Sequence, residues 1–173
     1  MVQSISKIPS LFVSHGAPTI ALDNSEAHRF LQKMAESVPA PRAILVVSAH
    51  WETDRPHVST AETPETIHDF YGFPKRLYDL RYLAPGAPDV AARTAALLQD
   101  AGMGPVARED RGLDHGAWVP LLLGYPDADI PVTQLSIQPH RDAAYHFRLG
   151  EALQPLRRQG VLILASGNLT HNL

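Results

Sequence analysis

The runs AILVVSA (residues 43–49) and VLILAS (residues 161–166) are apolar or small at every position. Successive side chains of a β-strand leave opposite faces, so a strand with one wet face alternates apolar and polar residues. A strand that is apolar throughout needs cover on both faces. Parallel strands inside a sheet, with helices on either side, meet that requirement. Two further segments read as strands, SLFVS (residues 10–14) and IPVTQLSI (residues 130–137).

Helical patterns lie between these strands. Asn24 and Ser25 can cap a helix through EAHRFLQKMAESV, with Phe30, Leu31, Met34 and Val38 on one face. A second helix is predicted from Pro88, a residue tolerated in a first turn, to Gly102, which suits a left-handed closing position. AWVPLLLGY predicts a short buried helix closed by Gly124, and residues 141–160 a helix that Pro155 kinks or ends. Strand and helix alternate, so the expected class is α/β: one domain over residues 1–173, with a mostly parallel central sheet flanked by helices on both faces. Residues 52–88 and 104–116 break the rhythm and read as long loops. The first is rich in aromatics and suits a pocket wall.

Histidines recur where the strands end. His15 follows LFVS, His50 follows LVVSA, His171 follows LILASGNLT, and His115 stands in LDHGAW at the start of a helix. Ligands of open parallel sheets bind beyond the carboxyl ends of the strands. These imidazoles are therefore expected to meet there, as a metal site with a proton-transfer residue beside it. The small residues of S-H-G and S-A-H-W let backbone approach an ion closely. A lone histidine after a strand is more often a loop residue bonded to backbone; the joint pattern carries the reading.

The other candidates divide less sharply. His28 reads as a surface residue, His57 as part of a solvated turn, and His146 as packing on a helix face. His140 stands at a helix start near the pocket rim. His68, in ETIHDFYGFP, suits a substrate pocket as well as packing, and Trp51 and Trp118 suit a pocket wall or the core. Asp114 can orient an imidazole or cap the helix after it.

The chain contains 9 histidines and no cysteine, which excludes disulfides and thiolate metal sites and makes the cytoplasm the default location. A formal net charge of −3 with scattered lysines and arginines argues against nucleic acid. No apolar run is long enough to span a membrane, and no targeting segment stands at Met1. Nothing in the sequence fixes the oligomeric state, and a homo-oligomer is compatible with it.

The segments SHGAPTIAL, VVSAHWET, ETPETIHDFYGFP, LYDLRYLAPG, GLDHGAWVPLLLGYPDADIPVTQLSI and LILASGNLTHNL, in that order, resemble the class III extradiol ring-opening dioxygenases of the 4,5-DOPA dioxygenase type, relatives of the catalytic subunit of protocatechuate 4,5-dioxygenase. The resemblance implies a catechol substrate, O2 and a non-haem metal. It implies that His15 and His50 are metal ligands. It implies further that His115 is a histidine beside the metal contacting dioxygen or substrate, and that His171 is an acid/base histidine that in bacterial members can also lie on the metal. The family places a further ligand in a C-terminal segment outside these residues. The chain is accordingly read as a fragment with weak or absent dioxygenase activity, exposing an apolar patch near residues 161–165 that a partner chain hides.

Fe(2+) is the metal expected for the activity, because histidine and carboxylate ligands with open positions suit redox chemistry with O2. Zn(2+) can occupy the same ligands but exchanges no electrons. Two other functions fit the residues. One is a zinc-dependent hydrolase on a similar α/β fold, distinguished by the absence of catechol-dependent O2 uptake. The other is an inactive metal-binding pseudoenzyme, distinguished by failure to retain stoichiometric metal.

Overall fold

The computed structural model describes residues 7–168. The strands are β1 (Ser10–Ser14), β2 (Ala43–Glu52), β3 (His57–Ser59), β4 (Ala107–Glu109), β5 (Val132–Ile137) and β6 (Val161–Gly167). They form one six-stranded sheet in the order β1-β6-β2-β5-β3-β4. β1, β6, β2 and β5 run parallel, β3 turns antiparallel against β5, and β4 runs parallel to β3.

The helices are α1 (Glu26–Gln32), α2 (Lys75–Tyr78), α3 (Pro88–Asp100), α4 (His115–Gly124), α5 (Ala143–Ala152) and α6 (Gln154–Arg158). None of the helices among the described residues is long and apolar enough to cross a membrane. Alternation along β2 shows why both faces need cover. Ile44 and Val46 join a core with Leu162, Leu164, Leu31, Trp118 and Leu121. Ala43 and Leu45 join a second core with Val161, Leu135, Val90, Leu98, Leu153 and Leu156. The first lies against α1 and α4, the second against α3, α5 and α6. Each leucine fully removed from water in these cores contributes about 1.5–3 kcal/mol before conformational entropy is subtracted. α4 is apolar all round because helix α1 and the sheet both pack against it, and only Leu122 of its residues is less than buried.

Several boundaries differ from expectation for physical reasons. β2 runs on to Glu52, so His50 lies within the strand. The helix expected over residues 26–38 breaks at Lys33 into α1 and a 3-10 turn, Met34–Ser37. Pro155, in the first turn of α6, cannot donate the next backbone hydrogen bond, so the stretch from 141 to 160 becomes two helices. Gly102 takes the left-handed conformation expected after α3, at φ 70°. The segments read as loops contain β3 and β4, and His57 belongs to β3 rather than to a solvated turn. The apolar patch expected near residues 161–165 is narrower than expected, since only Ile163 and Ala165 of that stretch are partly exposed. β6 lies between β1 and β2, and Val161, Leu162 and Leu164 are fully buried. The exposed aromatic rings beside it are Phe12, on edge strand β1, and Phe147, on α5.

Candidate metal centre and cleft

Three parallel strands bring their carboxyl ends to one edge, and the site is built there. Ser14 pairs with Gly167 and Ser48 with Ser166, so β1 and β6 end beside β2, which runs on past them to Glu52. His15 follows β1 directly, His50 stands near the end of β2, and His115 opens α4. One ring nitrogen from each of His15, His50 and His115 lies within 4.8 Å of the others. The ring centroids are 5.0 Å apart for His15 and His50, 5.2 Å for His15 and His115, and 4.0 Å for His50 and His115. His171 lies outside the described residues.

The cluster fits a divalent transition metal. His15 Nε2 and His50 Nε2 are 2.9 Å apart, a separation that neighbouring ligands of one ion have when each bond is about 2.1 Å. Ser166 Oγ sits 2.8 Å from His15 Nδ1, which ties down the far side of that ring and aims Nε2 at the cluster. His15 is 1% exposed while His50 is exposed, so the centre is buried at its root and open at its mouth. The nitrogens of His15 and His50 are imidazole donors, the ligand type shared by iron and zinc sites, and His115 stands beside them.

Gly116 explains the D-H-G spacing. A Cβ there would overlap Ser48 Oγ and fall 2.9 Å from His50 Cδ2 and 3.1 Å from His15 Cε1. Only glycine lets the first turn of α4 lie directly on the histidine pair. Asp114 then fixes that turn. It is fully buried, caps α4 by accepting from the Ala117 amide at 3.2 Å, and accepts from Ser48 Oγ at 2.6 Å and from Gln134 Nε2. Arg111 approaches it at 3.5 Å. Of the two roles weighed for Asp114, the structure assigns the cap.

The carboxylate beside an imidazole is Asp69, from the aromatic loop. Its Oδ1 accepts the His115 backbone N–H at 2.8 Å. Its Oδ2 lies 2.9 Å from His115 Nδ1, off the line of an aligned hydrogen bond. Partial burial opposes ionisation of Asp69, but the hydrogen bond from the His115 amide and the close imidazole more than offset this. They hold the carboxyl below its ordinary range.

A cleft of about 470 Å³ opens onto the centre, walled by His15, His50, His115, Pro18, Phe73 and Asn168 among others. Phe70 packs edge-on against His115 with centroids 5.7 Å apart, and edge-on in turn against Phe73 at 5.4 Å. His68 stands behind Phe70, bonded to the Leu80 carbonyl at 3.1 Å and packed on Trp118 at 5.6 Å. Neither His68 nor Trp51 lines the cleft. Trp51 is buried, edge-on to His57 with the Arg111 guanidinium 4.9 Å from its centroid. Trp118 belongs to the core and donates to the Ile67 carbonyl at 2.9 Å. His140 is exposed and does not line the cleft. His28 bonds the Ile20 carbonyl at 2.7 Å and so ties α1 to the turn before it. Sequence reasoning missed Asp69, Ser166, Gly116 and Phe73; only the small residue after His115 hinted at one of them.

The family described as "Catalytic LigB subunit of aromatic ring-opening dioxygenase" matches residues 4–173. The chain is 52% identical over 166 residues to a 4,5-DOPA dioxygenase extradiol of Beta vulgaris, covering 94% of this chain and 62% of the relative. It is 46% identical over 173 residues to a 4,5-DOPA dioxygenase extradiol of Escherichia coli K12, covering 100% of this chain and 64% of the relative. A crystal structure of an uncharacterized protein from Escherichia coli K12 superimposes with a TM-score of 0.78 at 41% identity, over 95% of this chain and 62% of that one. The chain thus spans a little under two thirds of the length of these relatives.

Proposed function

Because the chain belongs to the family of catalytic LigB subunits of aromatic ring-opening dioxygenases, we propose that it carries the centre of an extradiol dioxygenase, one that opens a DOPA-like catechol with O2 in the cleft beside His15, His50 and His115. The observation that carries this reading is the convergence of three imidazoles from three separate elements at the carboxyl edge of the sheet.

His15 and His50 hold the metal, and His171 joins them as ligand or acid/base. Fe(2+) is the native ion, since zinc fits the same nitrogens but exchanges no electrons with O2. When bound, the ion would supply Lewis-acid and redox chemistry toward the catechol and O2.

This chain's residues do the rest. Ser166 aims His15 Nε2, and Gly116 lets α4 close over the pair. Phe73 and Pro18 offer the flat, apolar wall that an aromatic ring needs, in place of the wall expected from Trp51 and His68. His115 stands in the wall with Nδ1 turned to Asp69, which leaves Nε2 as the ring nitrogen available to substrate or dioxygen. From that nitrogen it can hold a proton of the substrate hydroxyl during ring opening.

The test is anaerobic loading with Fe(2+) or Zn(2+), followed by a screen of catechols that includes DOPA for the yellow ring-opened product. The iron form is expected to give product and the zinc form none. Product from the zinc form alone, or none from a fully iron-loaded chain, would contradict the proposal.

A further inference from the structure

Among the described residues one carboxylate bonds the backbone of a cleft histidine and brings its second oxygen to the ring of the same residue, and the chemistry of that approach goes beyond holding a loop in place. We propose that Asp69 is a positioning residue that sets the tautomer of His115; the inference rests on the reading of this cleft as the ring-opening site.

Asp69 and His115 are 46 positions apart in the chain. The His115 amide is one of the first four of α4, which have no partner within the helix. Asp69 Oδ1 supplies that partner at 2.8 Å, and a negative charge at a helix start is favoured by the helix dipole. This fixes the backbone and commits Oδ1. The second oxygen is thereby held 2.9 Å from Nδ1 of the same residue, off the line of an aligned hydrogen bond but close enough for its charge to favour a proton on that nitrogen. A neutral imidazole carries one N–H, and a carboxylate accepts but does not donate. The proton is accordingly favoured on Nδ1, and Nε2 keeps its lone pair toward the cleft. With the other tautomer Nε2 would present an N–H and could not accept a substrate proton. Phe70, edge-on to the ring at 5.7 Å, limits its rotation. Asp114, the residue next in sequence, cannot take this part because its oxygens are engaged by Ser48, Gln134 and the Ala117 amide.

Asp69→Asn separates a positioning role from a merely structural one. The asparagine oxygen can still accept the His115 amide, so the loop stays attached. The amide NH2 then faces Nδ1 as a donor, which favours the proton on Nε2. Histidine-15N-labelled full chain is examined by long-range 1H–15N correlation, the His115 signals being assigned by their loss in His115→Ala. The wild-type protein is expected to show the Nδ1–H pattern and Asp69→Asn the Nε2–H pattern. Alongside, kcat for catechol ring opening by the iron-loaded protein should fall about 10–100-fold, with KM and metal content unchanged. Asp69→Ala, which loses the loop attachment as well, should in addition lower the thermal midpoint. An unchanged tautomer in Asp69→Asn, or a wild-type kcat, overturns the proposal. Should the wild-type chain open no catechol at all, the functional reading fails while the tautomer result still decides the role of Asp69.

Discussion

Gly116 lies so close to His50 that a single added methyl group would stand 2.9 Å from the imidazole Cδ2. The metal centre therefore depends on a residue with no side chain. In Gly116→Ala the first turn of α4 or the His50 ring must shift, and the two nitrogens of the pair lose their common aim. Metal affinity should fall about 10–100-fold, as on loss of a residue that orients a ligand. Competition of the variant against a chelating dye measures this, and wild-type affinity would show that the helix can yield without cost.

His115 and the His15–His50 pair should separate cleanly. Removing His15 or His50 should empty the site, whereas His115→Ala should keep its metal and lose about 10²–10⁴-fold in turnover. Elemental analysis of the three variants after reloading and desalting decides the matter. An empty His115→Ala would make that residue a ligand.

The buried network under α4 predicts a stability effect apart from catalysis. Asp114→Ala removes a helix cap and leaves Ser48 Oγ and Gln134 Nε2 without their partner in a fully buried place. The cost should be about 3 kcal/mol, from the lost cap and the unsatisfied groups together. Urea denaturation reads it as a lower midpoint; a midpoint within error of wild type would mean water replaces the carboxylate.

Asp69 adds a pH dependence whose sign follows from its partners. Burial disfavours the charged form, yet the His115 amide and the imidazole beside it leave the folded carboxyl below its ordinary value. A depressed folded pKa contributes stability that is fully present above the unfolded value, about 3.9, and is lost as pH falls through the folded value. The stability gap between wild type and Asp69→Asn should thus be constant at pH 5–6 and shrink below pH 4. Urea titrations across that range test it, and a gap that widens in acid would contradict the assignment.

These predictions draw on parts of the molecule that were unequally legible in the sequence. The two central strands could be read because every position of AILVVSA and VLILAS is apolar or small, a pattern only double cover explains. β3 and β4 could not, since three residues are too few for an alternation to show. The meeting of His15, His50 and His115 followed from their place at strand ends and a helix start. The partner of His115 did not, because Asp69 lies in a loop with no period, and nothing local connects the two. Aromatic identity carried no direction either. Trp51, beside His50, is turned to His57 and Arg111, while Phe73, unremarked among several rings of the loop, lines the cleft.

The most direct test of the central claim is oxygen uptake by the anaerobically iron-loaded chain on mixing with DOPA in a closed electrode cell. O2 should disappear mole for mole with catechol, and His15→Ala and His50→Ala should abolish the uptake. Uptake that survives both substitutions, or catechol lost without matching O2, would contradict the account.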